Sequence, residues 1–181
     1  GPGVVWDALG VIGVGTKSFN SQSPAHLERM VAQRKPDLIV VMLGGNELGY
    51  PIVSKGDGSE YGAMYRKTLD AIRAGAPNAS CLVLTPLDQG TREEGEPRSK
   101  PALPKMVRAQ ARVAIDAGCA FWNSWSAMGG DGSIIRWSER KNPLAWTDLL
   151  HLSGAGQEII GQLLSDAIEA DYDQWVARGG Q

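Results

Sequence analysis

The chain alternates short apolar runs with longer amphipathic stretches, and this alternation restricts its fold more than any other feature of the sequence. Apolar runs rich in β-branched residues and separated by helical stretches are typical of β-α repeats, whose strands pair in parallel. The runs are almost continuously apolar, as in strands that helices cover on both faces. We therefore predict an α/β fold with strands at residues 4–11, 37–43, 80–85 and 119–125.

Helical spacing and end signals place helices between and after these strands. A serine followed by proline starts the first, because the hydroxyl caps the helix and proline suits its first position. The predicted helices run from Ser23 to Pro36, from Ser59 to Gly75, from Leu103 to Ala117 and from Ser153 onward. Their predicted inward residues are Leu27, Met30, Val31, Met64, Leu69, Ile72, Met106, Val107, Val113, Ile115, Ile159, Ile160, Leu163, Leu164 and Ile168.

Two longer loops remain, at residues 49–58 and 86–101. The second is polar and rich in glycine and proline, and it follows a predicted strand. Loops of this composition run over the surface and move more than the elements that they connect. We therefore expect residues 86–101 to be mobile.

Size and charge exclude several classes of protein. A chain of 181 residues has the length of one domain. Its net charge is −2 and its basic residues are not clustered, so we expect no nucleic-acid partner. No apolar run approaches the ~20 residues that a membrane-spanning helix needs. The start at Gly1-Pro2-Gly3 lies directly before a predicted strand, and we interpret it as a processed or truncated end.

The metal-binding and redox side chains are few. Cys81 and Cys119 are too few for a disulfide scaffold or a zinc site, and we predict that both are buried thiols. No clustering of histidine and carboxylate residues suggests a metal, and no motif suggests an organic cofactor. We therefore expect no metal site and no cofactor.

The two histidines differ in their surroundings. His26 lies on the polar side of a predicted helix and is interpreted as a surface residue. His151 follows Asp148 by three residues, directly before the last predicted helix. At this spacing a carboxylate can accept the Nδ1 proton and leave Nε2 free to act as a general base. The alternative is a helix-start aspartate with an incidental histidine, and the spacing alone leaves it open.

Glycines follow two of the predicted strands. Gly44-Gly45-Asn46-Glu47 ends an apolar run, at the edge of a parallel sheet where ligands bind. The Asn46 amide could stabilise an oxyanion there, although a plain turn would also use glycine and asparagine. Gly13, after the first run, could offer its backbone N–H. Its neighbourhood lacks the G-x-G-x-x-G and G-K-[ST] motifs, which argues against a nucleotide site.

In this order the segments resemble the SGNH hydrolases, also called GDSL-type esterases. Gly13 matches the glycine of the family's second block, residues 44–47 match G-x-N-D with Glu47 in place of aspartate, and Asp148 with His151 matches D-x-x-H. The resemblance implies a three-layer, flavodoxin-like sheet with strand order 2-1-3-4-5. It also implies an Asp148–His151 catalytic pair and an oxyanion hole made by Gly13 and Asn46, with Gly45 beside the substrate.

The tryptophan-rich stretch after residue 119 resembles the branch of this family that acts on acetylated cell-wall polysaccharide. In that branch an inserted carbohydrate-binding module splits the hydrolase domain. The resemblance implies an acetylated glycan substrate and an extracytoplasmic location. Trp125, Trp137 and Trp146 are candidates for stacking against sugar rings, and core packing is the equal alternative for each.

The chain departs from the family at its nucleophile. It contains neither Gly-Asp-Ser nor G-x-S-x-G, and we interpret Ser59 and Ser133 as turn or cap residues. The first predicted strand matches the family's second, so the first strand and its serine are absent together. We expect the chain to be the carboxyl-terminal portion of one hydrolase domain, inactive alone, with an upstream fragment or another chain supplying the serine. The alternatives are a non-catalytic glycan- or partner-binding module and an O-acyltransferase relative.

Overall fold

The computed structural model describes residues 3–180, so the interpretation of Gly1-Pro2 lies outside the described residues. Its helices and strands alternate along the chain, as the sequence predicts. The strands are β1 (Leu38–Met42), β2 (Ser80–Leu84), β3 (Gly90–Glu93), β4 (Glu96–Ser99) and β5 (Ala120–Trp122). The helices are α1 (Thr16–Asn20), α2 (Pro24–Arg34), α3 (Pro51–Ser54), α4 (Ser59–Ala74), α5 (Leu103–Asp116), α6 (Ser124–Met128), α7 (Ser133–Ser138) and α8 (Gly154–Ala177).

Three strands form a parallel sheet in the order β1-β2-β5. Leu38 of β1 pairs with Ser80 of β2, and Leu82 of β2 pairs with Ala120 of β5. The α/β prediction is confirmed, and this order agrees with the 3-4-5 part of the expected sheet. Three of the predicted strands are present, although β5 ends at Trp122 because α6 begins two residues later.

The main core lies between one face of this sheet and helices α4 and α5. Successive strand residues point to opposite faces, so the alternate residues Val41, Cys81 and Val83 share one face, and all three are buried in the core. The core residues from the two helices include Tyr61, Tyr65, Leu69, Leu103, Met106 and Ala109. This packing fixes where β1 and β2 end, and therefore where the loops after them begin.

The opposite face of the sheet is only partly covered, which corrects the expectation of strands buried on both sides. Leu38 and Met42 of β1 are 48% and 46% exposed. The apolar side of α8 is open as well, and the predicted inward positions that are exposed are Met30, Ile115, Ile159, Leu163 and Ile168. Their helical spacing is present, but within residues 3–180 no element buries them. None of the helices in this range is both long and apolar enough to cross a bilayer.

Residues 4–11 form no strand, so the first predicted strand is wrong for the described chain. Val4 and Val5 are more than nine-tenths exposed. A β-branched run needs a neighbouring strand to satisfy its backbone, and no strand in residues 3–180 pairs with it. β1 consequently has β2 as its only described neighbour, and its other edge is open.

The segment predicted as a loop at residues 86–101 contains an antiparallel hairpin, β3–β4, so the prediction of a loop without secondary structure is wrong there. Its two-residue turn consists of Glu94 and Gly95, whose φ angles are +51° and +90°. Positive φ at both positions defines the turn type that matches the twist of paired strands. The Glu-Gly dipeptide was the available signal. The loop at 49–58 likewise contains the short helix α3.

Asp88 anchors the base of this hairpin from inside the protein. Its side chain is completely buried, and its Oδ2 accepts hydrogen bonds from Ser99 Oγ at 2.7 Å and from the backbone N–H of Ile134 at 3.1 Å. Burial raises the pKa of the Asp88 carboxyl above its ordinary value, although the two hydrogen bonds oppose the shift.

This shift predicts a pH dependence of stability. Because the folded protein holds the Asp88 proton more tightly than the unfolded chain, Asp88 adds stability below its unfolded pKa, and this contribution is lost as pH rises through the raised pKa. Asp88→Asn cannot ionise and should escape this loss. Urea unfolding from about pH 3 to about pH 7 should therefore show the free energy of unfolding of the variant improving relative to wild type. A constant difference across this range would contradict the prediction.

Cys81 and Cys119 form a disulfide, which corrects the prediction of two buried thiols. Their Cα atoms are 4.7 Å apart, because Cys81 on β2 and Cys119 directly before β5 lie side by side in the sheet. The sequence could not reveal the pair, since the residues are 38 positions apart and only the strand register brings them together.

The disulfide should contribute strongly to stability. Closing a loop of 38 residues removes chain entropy worth about 4 kcal/mol from the unfolded state. We expect Cys81→Ala combined with Cys119→Ala to lower the free energy of unfolding in urea by about that amount. Wild type treated with a thiol reductant is the matched control, and its urea midpoint should equal that of the double variant. An unchanged urea midpoint after reduction would contradict the prediction.

Candidate active site

The segment that carries Asp148 and His151 is a closed turn. Ala145 and Leu152 form an isolated antiparallel bridge, and the backbone N–H of Trp146 donates to the carbonyl of His151 at 2.8 Å. Helix α8 follows directly, and its cap residue Ser153 accepts from the N–H of Gly156. The turn is therefore fixed at its base by backbone hydrogen bonds and at its end by the start of a helix.

Asp148 and His151 are in direct contact. Asp148 Oδ2 lies 2.8 Å from His151 Nδ1. Asp148 Oδ1 accepts the backbone N–H groups of Leu150 at 2.9 Å and of His151 at 3.1 Å. One carboxylate thus holds both the imidazole and the backbone that carries it.

The electrostatics favour an ionised Asp148. Its limited burial raises the pKa, but hydrogen bonds from the His151 ring and from the backbone N–H groups of Leu150 and His151 outweigh burial, and the pKa lies below its ordinary value. A carboxylate at Oδ2 orients a ring that carries its proton on Nδ1. The His151 side chain is 75% exposed, and within residues 3–180 its Nε2 has no hydrogen-bond partner. Nε2 is therefore accessible to a hydroxyl group.

The structure also brings Gly13 and Asn46 together. Asn46 Nδ2 donates to the carbonyl of Val14, the residue after Gly13, at 3.0 Å. The Gly13 N–H makes no hydrogen bond within the described chain, and Gly13 adopts a φ of +75°. One N–H of the Asn46 amide is occupied by Val14, and the second remains available. Both predicted oxyanion donors therefore lie on adjoining turns.

Glu47, for which the sequence predicts no role, joins these two turns from beneath. Its side chain is completely buried and accepts Thr16 Oγ1 at 2.9 Å and the Lys17 N–H at 3.0 Å. It also packs against Gly15, where a Cβ would lie 2.8 Å from Glu47 Oε1. The glutamate at the family's aspartate position thus attaches the start of α1 to the loop after β1.

The loop after β1 depends on Gly44. This residue has a φ of +112°, and a Cβ there would lie 2.7 Å from Met106 Sδ and 2.7 Å from Tyr61 Oη. Gly45 is half-buried and lies against the side chain of Gln89, in the loop after β2. Gly90, the next residue, contacts Leu149 in the Asp148–His151 turn. The two parts of the site are therefore joined by two consecutive residues.

The three tryptophans are in different environments. Trp125 packs against the main core, and Trp137 packs against a second cluster around Ile134 and Leu149. Both residues are half-buried, so packing covers part of each ring and leaves part of it exposed. Trp146 is 58% exposed and is hydrogen-bonded to His151 through the backbone. It is the most exposed of the three predicted stacking residues.

No serine in the described chain is hydrogen-bonded to His151. Ser59 and Ser133, interpreted from the sequence as turn or cap residues, are the first residues of α4 and α7, and the cap positions belong to Gly58 and Gly132. Ser133 is also completely buried, so its hydroxyl cannot meet a substrate. His26 is exposed on α2, as predicted.

The α/β fold carries a carboxylate–imidazole pair and two N–H donors in the loops beyond its parallel strands. This arrangement is typical of a hydrolytic enzyme. A family model agrees: residues 2–159 match the GDSL-like lipase/acylhydrolase family. The chain belongs to this family, and the resemblance drawn from its motifs is confirmed. No curated protein matches the chain.

Solved structures support the same fold. A peptidoglycan O-acetylesterase is 23% identical to this chain in sequence, and the two structures align with a TM-score of 0.72. The alignment covers 87% of this chain and 44% of the O-acetylesterase chain. A putative GDSL-like lipase from Parabacteroides merdae is 14% identical (TM-score 0.61; 86% and 68% covered). An acetyl-xylooligosaccharide esterase mutant from Geobacillus is 19% identical (TM-score 0.57; 84% and 66% covered). The chain thus spans less than half the length of the peptidoglycan O-acetylesterase.

Proposed function

We propose that this chain is the carboxyl-terminal portion, residues 1–181, of a single SGNH domain that hydrolyses esters through a serine acyl-enzyme. The observation that carries the proposal is the 2.8 Å contact between Asp148 Oδ2 and His151 Nδ1, with Nε2 accessible. Asp148 orients the imidazole, His151 is the general base and then the general acid, and Gly13 N–H with the Asn46 amide stabilises the oxyanion.

The chemistry runs in two acyl transfers. A serine Oγ attacks the acyl carbonyl, its proton passes to His151 Nε2, and the oxyanion forms between Gly13 and Asn46. The ester C–O bond then breaks and the leaving alcohol takes the proton from His151. Water repeats the sequence on the acyl-serine and releases the free acid.

We propose that a strand outside this chain supplies that serine. The support is the open edge of β1, the exposed residues Leu38 and Met42, and a sequence without a Gly-Asp-Ser motif. In the expected strand order the absent strand lies directly beside β1. A strand added there would satisfy the backbone edge and end next to the loop after β1, where a serine could face His151.

We propose O-acetyl groups on a glycan as the substrate and an extracytoplasmic location. The solved relatives include a peptidoglycan O-acetylesterase and an acetyl-xylooligosaccharide esterase. Trp146 offers an exposed ring beside His151 for a sugar face, and Gly45, beside whose Cβ position Gln89 lies, would meet the substrate through its backbone. The Cys81–Cys119 disulfide is in keeping with an oxidising compartment.

The test compares this chain alone with the same chain fused behind a strand that ends in Gly-Asp-Ser, using acetate release from an acetylated oligosaccharide. We expect hydrolysis from the fusion only, and its loss when the added serine is changed to alanine. Equal hydrolysis by the chain alone would contradict an external nucleophile. A stable fusion that binds the glycan without releasing acetate would favour the binding-module alternative, and acetate passed to an acceptor sugar would favour an acyltransferase.

A further inference from the structure

Gln89 and Gly90 lie between the two parts of the proposed active site. They follow β2 and lead into the hairpin β3–β4. Gln89 contacts Gly45 in the loop that carries Asn46, and Gly90 contacts Leu149 in the turn that carries Asp148 and His151. No sequence motif includes either residue.

The contact between Gly90 and Leu149 is specific to glycine. The Gly90 N–H donates to the Leu149 carbonyl at 2.7 Å. A Cβ on Gly90 would lie 2.9 Å from Leu149 Cβ, 3.1 Å from its Cδ1 and 3.2 Å from the Arg98 carbonyl oxygen. A side chain at position 90 would therefore push Leu149 away or move the hairpin.

Leu149 needs such support, because its φ is +58° and it is only 2% exposed. The left-handed conformation is unfavourable for a residue with a Cβ, and it persists only where the surroundings impose it. Here the Leu149 N–H donates to the Trp146 carbonyl, and the Leu149 carbonyl accepts the Gly90 N–H. The Leu149 side chain packs in the hydrophobic cluster around Ile134. These contacts set the direction of the backbone between Asp148 and His151.

Gln89 is held equally well on the other side. Its Oε1 accepts Lys100 Nζ at 2.9 Å, and its carbonyl accepts the Lys100 N–H at 2.7 Å. Its Nε2 lies 2.8 Å from where a Cβ on Gly45 would be. The Gln89 side-chain amide is therefore held at the base of the hairpin, in contact with the loop that carries Asn46.

We propose that Gln89 and Gly90 are positioning residues, which together hold the Asp148–His151 turn in register with the Gly45–Asn46 loop. Gly90 keeps Leu149 in its left-handed conformation, and this conformation directs His151 towards Asp148. Gln89 limits where Gly45, and with it Asn46, can move. The roles of Asp148, His151 and Asn46 rest on the proposed function, whereas the coupling of the two loops is a property of the folded chain.

The test uses the full chain and the NMR signals of its two histidine rings. Wild-type His151 should carry its proton on Nδ1, whereas exposed His26 serves as an unpaired internal reference. In Gly90→Ala we expect the His151 ring ¹⁵N shifts to move towards those of His26. Gly161→Ala is the matched control, because nothing lies within 4 Å of a Cβ there, and it should leave His151 unchanged.

A second substitution separates positioning from general damage. Leu149→Gly removes the Cβ that the new methyl group at position 90 would strike, and glycine tolerates a positive φ. Gly90→Ala should therefore shift the His151 signals much less in this background. Equal shifts in both backgrounds, or no shift in either, would overturn the Gly90 role. Folding of each variant is checked by the remaining backbone signals.

The Gln89 role has its own test. Gln89→Ala should shift the Gly45 backbone amide and the Asn46 side-chain amide, while the His151 ring changes less than in Gly90→Ala. Unmoved Gly45 and Asn46 signals would overturn it. None of these readouts uses a substrate, so a serine-bearing fusion that fails to hydrolyse esters would refute the proposed function and leave the positioning result standing.

Discussion

Asp148→Asn should reduce kcat of the serine-bearing fusion by about 10⁴-fold, with little change in the amount of folded protein. Asparagine fills the same space, but its amide cannot favour the ring that carries its proton on Nδ1 as the carboxylate does at 2.8 Å. The ring then turns or protonates on Nε2, where it can no longer accept the serine proton. His151→Ala should cost at least as much, since it removes the base itself.

The control for this result is His26→Ala, which removes the other histidine from an exposed helix position and should retain full activity. Steady-state rates of acetate release, with the serine variant of the fusion as the blank, separate the enzymatic rate from hydrolysis by free imidazole. If Asp148→Asn kept more than about a tenth of wild-type kcat, the pair would not act as base and orienting group.

Gly44→Ala should lower the free energy of unfolding by about 2–5 kcal/mol, the combined cost of overpacking a core and of a positive φ with a Cβ. The new methyl would meet Met106, Tyr61 and Gln110, which are all completely buried. Gln110 Nε2 already donates to the Leu43 carbonyl and to Tyr61 Oη, so this network cannot move without losing hydrogen bonds.

The measurement is urea unfolding of Gly44→Ala beside Gly49→Ala. Gly49 is five residues along the same loop, and nothing lies within 4 Å of a Cβ there. We expect the control to stay within about 0.5 kcal/mol of wild type. A Gly44 variant as stable as the Gly49 variant would contradict the packing described for the end of β1.

The sequence predicted those parts of the fold that depend on local pattern. β1, β2 and the helices α2, α4 and α5 begin and end within a few residues of their predicted bounds, because apolar periodicity and end signals act over short distances. The strand prediction for residues 4–11 was wrong because it depended on a partner distant in the chain. The composition of this run suits a strand, but a strand exists only where another backbone pairs with it, and that partner is not written in the run itself.

The site divides in the same way. Asp148 and His151 could be predicted as a candidate pair because a spacing of three residues permits their contact, and the glycine–asparagine turn follows a recognisable strand. Gln89, Gly90 and Leu149 could not be predicted, because their importance depends on contacts between loops that lie far apart in the chain. The part that Glu47 plays could not be predicted either, because it depends on burial and on hydrogen bonds to Thr16 and Lys17, about thirty residues earlier in the chain.

Within residues 3–180 the outer edge of β1 has no paired strand and apolar residues of α8 are exposed, which also affects how the protein behaves in solution. Backbone groups along an unprotected strand pair readily with a second molecule, and apolar side chains such as Ile168 and Trp175 add a sticky surface. We therefore expect the protein to aggregate at high concentration. Dilute samples, and light scattering before each assay, will keep aggregates from being mistaken for loss of function.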